Sequence, residues 1–285
     1  MPELPEVETI RRDLSRVVLN TKITKVQVRK PKMVRGSATV FKKQLLGQSF
    51  VNIERRGKLL MFALKGRQHY LLLHLKMTGQ LIYERKRTFI AGGHPVPMPE
   101  MLPNKFTHII VHFSDGGVLY FNDLRQFGYA QIVPAEQKHL IEEAYGIEPL
   151  QPEFTFEAVC DAVRHRQTAL KNILLNQAVI AGLGNIYVDE VCFYAGIRPT
   201  RRADKVSHLE LKKLYRGITA IITQAIKYRG TTFGNYRDGL GQHGNYVSHL
   251  KVYGRAGEAC RKCQTKLVRT KINGRGTVYC PSCQR

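Results

Sequence analysis

The sequence predicts an α+β multidomain protein with a β-rich first part, a helical middle and a small metal-bound module at its C-terminus. Three observations support this prediction: short alternating strands fill the first half, helical periods begin near Pro134, and two Cys-x-x-Cys pairs close the chain. Alternating strands separated by turn residues are typical of an antiparallel sandwich or barrel. At 285 residues, the chain is long enough for two domains and an additional module.

The first part begins with a predicted helix over 7–18, where apolar residues recur at helical spacing. Alternating runs separated by turn residues follow it. The strands are predicted at 23–29, 50–54, 59–64, 70–75, 108–113 and 118–121. The stretch 88–105 contains four prolines and a Gly-Gly pair, and it is predicted to be a surface loop.

The middle of the chain changes to helical periods. Helices are predicted at 136–145, 156–164, 168–175, 185–195 and 207–228. The glycine-rich segment 230–245 has no apolar period, and composition leaves open whether it is a functional loop or an inert linker. The predicted segments are 1–133 (β-rich), 134–229 (helical), 230–250 (loop and connector) and 251–285 (four-cysteine module).

Four cysteines form the C-terminal motif, and sixteen residues separate its two pairs. The ligands would be Cys260, Cys263, Cys280 and Cys283. Four thiolates in a closed tetrahedron suit one structural Zn²⁺, and the metal would supply folding free energy to a segment too small to bury its own core. Two disulfides or a redox pair remain the alternative.

The net charge indicates a polyanionic partner. Lysine and arginine number 45 against 22 acidic residues, and 45 − 22 gives +23. Such a field attracts polyphosphates by counterion release, although a basic surface that only aids solubility is an alternative. No apolar run has membrane-spanning length, and the start lacks the regions of a signal peptide, so we expect a cytoplasmic protein without membrane contact.

The first six residues are Met1-Pro2-Glu3-Leu4-Pro5-Glu6. Removal of Met1 would leave Pro2 as a secondary amine with a pKa near that of an α-amino group, about 7.7–8.0. Such an amine can attack an electrophilic carbon to form an iminium, and Glu3 could donate a proton beside it. The alternative is that the acidic, proline-containing start only begins a helix.

Three other residues could have a function, but each could also have a purely structural role. Lys58 starts a strand and could contact a phosphate, donate a proton or simply occupy a turn. Asn185 follows two glycines at a predicted helix start, where backbone amides can face an anion or merely form a tight turn. His74 ends an apolar strand, where a lone histidine is more often structural.

The whole chain resembles bacterial formamidopyrimidine-DNA glycosylase, the base-excision enzyme for 8-oxoguanine. The start of the chain, MPELPEVET, carries the resemblance together with six later blocks in the same order. These blocks are RGK at 56–58, HLKMTG at 74–79, DLRQFG at 123–128, AGLGNIY at 181–187, VYGR at 252–255 and GRGT at 274–277. The resemblance implies an N-terminal β-sandwich with an N-terminal helix, a helix-two-turn-helix domain and a C-terminal four-cysteine zinc finger.

The resemblance also implies the catalytic roles. Pro2 would be the Schiff-base nucleophile at the sugar C1′, Glu3 the proton donor in ring opening, and Glu6 a supporting acid. Lys58 would donate a proton in β-elimination, and Arg275 would hold a phosphate and assist δ-elimination. The substrate would be damaged double-stranded DNA containing 8-oxoguanine or formamidopyrimidines.

The DNA contacts implied by the resemblance fall into three groups. Met77, Arg125 and Phe127 would fill the space that an everted nucleotide leaves. Further DNA contacts would come from His74, and phosphate contacts from Arg166 and Asn185. The lesion-capping loop would contribute Thr231, Phe233, Asn235 and Tyr236. Two positions depart from the family pattern. Phe106 stands where histidine is frequent, and Gln167 stands where a phosphate-contacting lysine is frequent. Arg166 or Arg164 would contact that phosphate instead.

Two alternative functions remain open at this point. An endonuclease VIII-like glycosylase uses the same proline chemistry on oxidised pyrimidines, but it typically has glycine where Leu4 stands. A non-enzymatic zinc-ribbon protein would share the charge and the cysteines without needing the Pro2 amine. We expect a nucleoid-associated monomer of bacterial type that needs no protein partner.

Overall fold

The computed structural model describes residues 1–86, 88–93, 101–231 and 245–285. The chain divides into two compact units. The first comprises Met1–Glu142 and Tyr228–Asn245, and the second comprises Glu143–Lys227 and Tyr246–Arg285. The predicted α+β organisation is confirmed, whereas the division into four segments stays a prediction.

The first unit consists of strands with three helices around them. The helices are α1 (Leu4–Ser15), α2 (Ala38–Leu45) and α3 (Lys138–Glu143), with 3₁₀ turns at Pro31–Met33 and Ala135–Gln137. The strands are β1 (Ile23–Val28), β2 (Phe50–Arg56), β3 (Leu59–Leu64), β4 (His69–His74), β5 (Gly79–Arg85), β6 (Thr88–Gly93), β7 (Thr107–Phe113), β8 (Val118–Asp123) and β9 (Tyr129–Pro134).

Two antiparallel sheets form a β-sandwich. Their strand orders are β1-β7-β8-β5-β6 and β2-β3-β4-β9. The inner faces meet in one apolar core, where the ring of Phe50 lies 5.0 Å from Phe62 in its own sheet and 6.2 Å from Phe113 in the other. Burial of alternate side chains from both sheets stabilises this arrangement and fixes the register of the strands.

Helix α1 begins three residues earlier than the sequence periodicity predicted. The Glu6 carboxylate accepts the Glu3 amide at 2.8 Å, and Pro5 lies in the first turn, so the chain is already helical from Leu4. The helix packs on β6, where a Cβ at Gly92 would lie 2.3 Å from Cγ1 of Ile10. This close packing places the N-terminus against the sandwich.

The predicted surface loop over 88–105 is wrong in its first part. Residues Thr88–Gly93 form β6, which pairs with β5 and is covered by α1. The prolines that suggested a loop all come after Gly93, and they do not interrupt the strand. Helix α2 and strands β5 and β9 were not predicted, because their apolar residues are continuous or sparse rather than clearly periodic.

The second unit contains the predicted helices and a hairpin. Its elements are α4 (Phe156–Val163), α5 (Leu170–Leu175), α6 (Asn185–Ala195), α7 (His208–Lys227), β10 (Val268–Ile272) and β11 (Arg275–Tyr279), with 3₁₀ turns at Ala203–Lys205 and Tyr246–His249. The predicted bounds of α6 are confirmed, and α7 buries an apolar stripe through Leu214, Ile218 and Ile222. Within the described ranges, no helix is both long enough and apolar enough to cross a membrane.

Candidate active site and DNA-contact residues

The N-terminal residues are held in a buried environment. Pro2 is buried and Glu3 is only 2% exposed. Glu6, one helical turn later, accepts hydrogen bonds from the Glu3 amide and from both the amide and the hydroxyl of Thr231, at 2.8, 2.7 and 3.1 Å. A carboxylate with three donors is held firmly. Glu6 therefore ties the start of the chain to the start of the predicted lesion loop.

Specific contacts hold the residues at the two ends of that loop. Gly230 has φ +83°, and a Cβ there would lie 2.5 Å from Oε1 of Glu6, so glycine is required on both counts. Thr231 forms an antiparallel bridge with Asn245, which brings the two ends of the loop together. The predicted lesion contacts Phe233, Asn235 and Tyr236 lie outside the described residues.

Lys58 is buried at the start of β3, directly after Gly57 in the β2–β3 turn. The next residue, Leu59, pairs with His74 across the sheet. The positive charge of Lys58 is one of the causes that lower the pKa of His74. The structure therefore brings together two sequence-predicted residues, Lys58 and His74, from neighbouring strands.

His74 is neutral at physiological pH. Burial lowers its pKa to about 3, helped by the nearby charges of Lys76, Lys58 and Arg35. Its Nδ1 accepts the Lys76 amide at 3.0 Å, so the single proton of the neutral ring is on Nε2. The imidazole can therefore contact a phosphate as a neutral N–H donor rather than as a cation.

Three residues beside His74 were not predicted from the sequence to belong to the site. The guanidinium carbon of Arg35 lies 3.4 Å from the ring centroid of Tyr129, and Nζ of Lys76 lies 5.9 Å from it. The ring of Tyr129 also lies 5.8 Å from that of His74. Arg35 is distant in sequence from His74 and Tyr129, and the bridge between Val34 and Ala130 brings it close to them. The cluster adds two cations to the candidate DNA-contact surface.

Replacing His74 with glutamine should weaken the acid sensitivity of the fold. The native pKa of about 3 lies below the unfolded value of 6.5, so the unfolded chain binds more protons between these pH values. The stability contribution is complete above pH 6.5 and is lost as the pH falls towards 3, at up to about 1.4 kcal/mol per pH unit. Urea unfolding at pH 7 and pH 4.5 should therefore show a larger loss for the unaltered chain than for His74→Gln.

The matched control for this prediction is His139→Gln, since His139 is exposed on α3. It should leave the difference between the two pH values as it is in the unaltered chain. Equal acid destabilisation of the His74→Gln variant and the unaltered chain would contradict the neutral, half-buried imidazole.

Met77, Arg125 and Phe127 lie together at the surface. Met77 is 41% exposed and Phe127 is 51% exposed, so neither side chain is packed in the core. Nη1 of Arg125 donates to Sδ of Met77 at 3.2 Å, and its guanidinium carbon lies 4.6 Å from the centroid of Phe127. The arrangement presents two apolar side chains and one hydrogen-bonding cation as one projecting group, the three-residue wedge.

In the second unit, Asn185 and Arg275 lie on neighbouring segments. Arg275 is exposed and follows the Asn273-Gly274 turn, where both residues have positive φ as a type I′ hairpin requires. Nδ2 of Asn185, the first residue of α6, donates to the carbonyl of Gly276 at 3.1 Å. The hairpin thus presents Arg275 near a helix N-terminus, an arrangement that suits phosphate binding.

A buried ion pair holds this hairpin, and it was not predicted from the sequence. Lys171 and Asp189 are both fully buried, and their charged groups are 2.6 Å apart. Lys171 also donates to the carbonyl of Gly276 at 3.1 Å, and Asp189 accepts the amide of Val278 at 3.0 Å. The pair therefore fixes the backbone of β11 on both sides of Thr277.

Arg166, a predicted phosphate contact, is exposed, and its Nε donates to the carbonyl of Ala162.

The four C-terminal cysteines form the expected cluster. Their sulfur atoms all lie within 4.8 Å of one another, with Cys263–Cys280 at 3.5 Å and Cys260–Cys283 at 4.0 Å. Tetrahedral zinc with bonds of about 2.3 Å separates its sulfur ligands by about 3.8 Å, so the observed spacing fits this metal. The alternative of two disulfides is wrong, because all four cysteines are free.

Comparisons with known proteins agree with the three parts of the chain. Residues 1–130 match the formamidopyrimidine-DNA glycosylase N-terminal domain, residues 145–236 match its H2TH domain, and residues 257–285 match the zinc finger found in FPG and IleRS. The last match and the sulfur geometry confirm the prediction of one structural Zn²⁺.

Full-length relatives and solved structures give the same result. The formamidopyrimidine-DNA glycosylase of Pelotomaculum thermopropionicum is 40% identical over 100% of this chain and 99% of its own. The Lactococcus lactis Fpg in complex with DNA containing an abasic site is 33% identical over 99% of both chains, with a TM-score of 0.88. A MutM protein in complex with DNA containing carbocyclic 8-oxo-G is 34% identical over the full length of both chains, with a TM-score of 0.87. The chain therefore belongs to the formamidopyrimidine-DNA glycosylase family, with the β-sandwich, H2TH domain and zinc finger that define it.

Proposed function

We propose that this protein excises oxidised purines, namely 8-oxoguanine and formamidopyrimidines, from damaged duplex DNA and then cuts the strand at the resulting abasic sugar. The observation that carries the proposal is the buried Pro2-Glu3 start, where Glu6 accepts the Glu3 amide and also accepts two hydrogen bonds from Thr231. Similar proteins have been solved with DNA containing an abasic site and with DNA containing 8-oxo-G.

The first chemical step is carried by Pro2 after removal of Met1. Its secondary amine attacks the sugar C1′ and gives up its N–H proton, while the bond from C1′ to the base breaks and the base leaves with the bonding electrons and takes up a proton. Glu3 then donates a proton to the ring oxygen as the C1′–oxygen bond opens, which leaves an iminium between Pro2 and C1′. The buried position of Glu3 directly beside Pro2 in the chain supports this role.

Strand cutting follows by two eliminations from the iminium. Loss of a proton from C2′ expels the 3′ phosphate, and Lys58 is the proposed proton donor for this β-elimination. A second elimination expels the 5′ phosphate, with Arg275 holding a phosphate. The exposed position of Arg275 on the hairpin and the buried position of Lys58 in the sandwich support these separate roles.

The target nucleotide must leave the duplex before C1′ can be attacked, at a cost of a few kcal/mol. The three-residue wedge is proposed to fill the space: Met77 and Phe127 stack as apolar surfaces, and Arg125 can hydrogen-bond the orphaned cytosine. His74, Arg166 and Asn185 are proposed phosphate contacts, and Thr231 is proposed to lie beside the everted base. The zinc finger holds the hairpin that carries Arg275.

The partner is damaged double-stranded DNA, and we infer that the protein acts as a nucleoid-associated, cytoplasmic monomer. The net charge of +23 supports direct binding to DNA. The four reduced zinc-ligand cysteines suit a reducing compartment.

A substrate comparison tests the proposal. We expect faster cutting of a duplex containing 8-oxoguanine opposite cytosine than of one containing thymine glycol, measured as single-turnover rates. Preference for thymine glycol would instead assign the chain to the oxidised-pyrimidine branch. Tight binding of both duplexes without cutting would indicate a non-enzymatic DNA-binding protein.

A further inference from the structure

We propose that Asp123 is the positioning residue that preorganises the three-residue wedge and thereby sets how well the protein everts its target from duplex DNA. The inference rests on the proposed function of the wedge, because it assigns to Asp123 the task of holding Met77, Arg125 and Phe127 ready for insertion. Asp123 itself is fully buried and lies at the end of β8, so none of its own atoms is available to contact DNA.

The Asp123 carboxylate organises the loop that carries two members of the wedge. Its Oδ1 accepts the amide of Arg125 at 3.1 Å, and its Oδ2 accepts the amide of Gly128 at 2.7 Å. These two amides flank Gln126 and Phe127, so one side chain closes the whole loop. A charged acceptor in a buried position makes both hydrogen bonds strong.

The same carboxylate is connected to the third member of the wedge through Thr78, the neighbour of Met77. The Thr78 hydroxyl donates to Oδ1 of Asp123 and accepts the amide of Arg125, the latter at 2.9 Å. The segment before β5 and the loop after β8 are therefore joined by one hydrogen-bonded network. Met77 is held in register with Arg125 by this network as well as by their own contact.

The backbone of Asp123 is anchored behind the wedge. Its amide donates to the carbonyl of Phe106 at 3.0 Å, and its carbonyl accepts Nε2–H of His108 at 2.7 Å. His108 is 3% exposed, and burial lowers its pKa, which keeps the imidazole neutral with its proton on Nε2. The departure from the family pattern at Phe106 leaves this anchor intact, because the anchor uses the carbonyl and not the side chain.

The backbone beside each wedge residue shows why an anchor is needed. Lys76 and Gln126 have φ values of +49° and +56°, a region that is unfavourable for a residue other than glycine. Each of them adjoins a wedge residue. At Gly128, a Cβ would lie 2.8 Å from the ring of Phe121 and 2.9 Å from the carbonyl of His74, so the loop has no room to relax there.

The consequence is that the exposed side chains of Met77 and Phe127 are ordered before DNA arrives. Ordering exposed side chains and their loop during insertion would add to the free energy of eversion. The Asp123 network supplies this order in the free protein. Loss of the network should therefore slow steps that need eversion and leave other steps unchanged.

The test compares two substrates with Asp123→Asn and Thr78→Val. An asparagine side chain has one acceptor oxygen and cannot serve Thr78, Arg125 and Gly128 together. We expect kcat/KM on an 8-oxoguanine:cytosine duplex to fall by roughly a hundredfold, the loss typical of a misplaced positioning group. Cutting of a single-stranded abasic oligonucleotide, which requires no eversion from a duplex, should stay within twofold of the unaltered chain.

Two controls accompany these variants. Thr78→Ser keeps the hydroxyl and should retain duplex activity. Asp115→Asn removes another carboxylate of the sandwich that accepts a backbone amide, from Gly117 at 3.0 Å, and it should leave both substrates unaffected. Fluorescence of 2-aminopurine beside the lesion, measured with a chain that carries an N-terminal extension to prevent cutting, should show reduced unstacking for Asp123→Asn.

Phe127→Ala separates the inference from the function on which it rests. Full duplex activity of Phe127→Ala would refute the proposed wedge itself. Loss of duplex activity in Phe127→Ala, but not in Asp123→Asn or Thr78→Val, would overturn only the role of Asp123. Equal losses on duplex and single-stranded substrates in the Asp123 and Thr78 variants would also overturn it, because they would indicate general damage to the fold.

Discussion

A chain that keeps Met1, or that carries a short N-terminal extension, is expected to lose base excision and strand cutting by roughly a thousandfold or more, as enzymes do when a nucleophile is removed. In such a chain the nitrogen of Pro2 is part of an amide, and an amide has no basic lone pair with which to attack C1′. The measurement is the single-turnover rate on an 8-oxoguanine duplex, with N-terminal processing checked by intact mass.

DNA binding is the internal control for this prediction. The proposed phosphate contacts and the net charge of +23 are unchanged by the extension, so its affinity for lesion DNA should stay within about tenfold of that of the processed chain. An extended chain that cuts oxidised-purine duplexes at the full rate would show that Pro2 is not the nucleophile.

The second large effect concerns the metal. Cys280→Ser should reduce bound zinc from one equivalent to none and weaken binding to lesion DNA at least a hundredfold. A structural zinc supplies about 10–16 kcal/mol to a small module, and three thiolates no longer close the tetrahedron. Arg275 lies on the hairpin between the two cysteine pairs, so it loses its support when the module unfolds.

The control for the metal prediction is Cys160→Ser, which changes a buried free cysteine outside the cluster. It should keep its zinc and its affinity for DNA. Zinc content is measured by elemental analysis and affinity by fluorescence anisotropy. Full affinity in zinc-free Cys280→Ser would contradict the role assigned to the hairpin.

Local patterns in the sequence were enough to predict some parts of the molecule. The zinc cluster depends on two short spacings, and α6 begins after a glycine-rich turn and ends at Gly196 in the left-handed conformation. Strand β3 was predicted with its observed bounds because an apolar run stands between Gly57 and Gly66. In each case, a short stretch of sequence was enough to predict the feature.

Other parts depend on contacts between residues that are distant in sequence. Strand β6 was mistaken for a loop because its stability comes from β5 and from α1, which packs at Gly92. The ion pair between Lys171 and Asp189 and the network around Asp123 carry no short motif that reveals their function. The resemblance identified the wedge residues, whereas only the structure shows what holds them in place.

The most direct test of the account is borohydride reduction during reaction with an 8-oxoguanine duplex, followed by mass spectrometry of the digested protein. Borohydride converts the iminium to a stable amine, so the site of attachment records which nitrogen attacked C1′. We predict that the DNA-derived sugar remains on the N-terminal peptide at Pro2. Attachment to Lys58 or to another lysine, or processed chain that cuts the strand without a trapped adduct, would contradict the account.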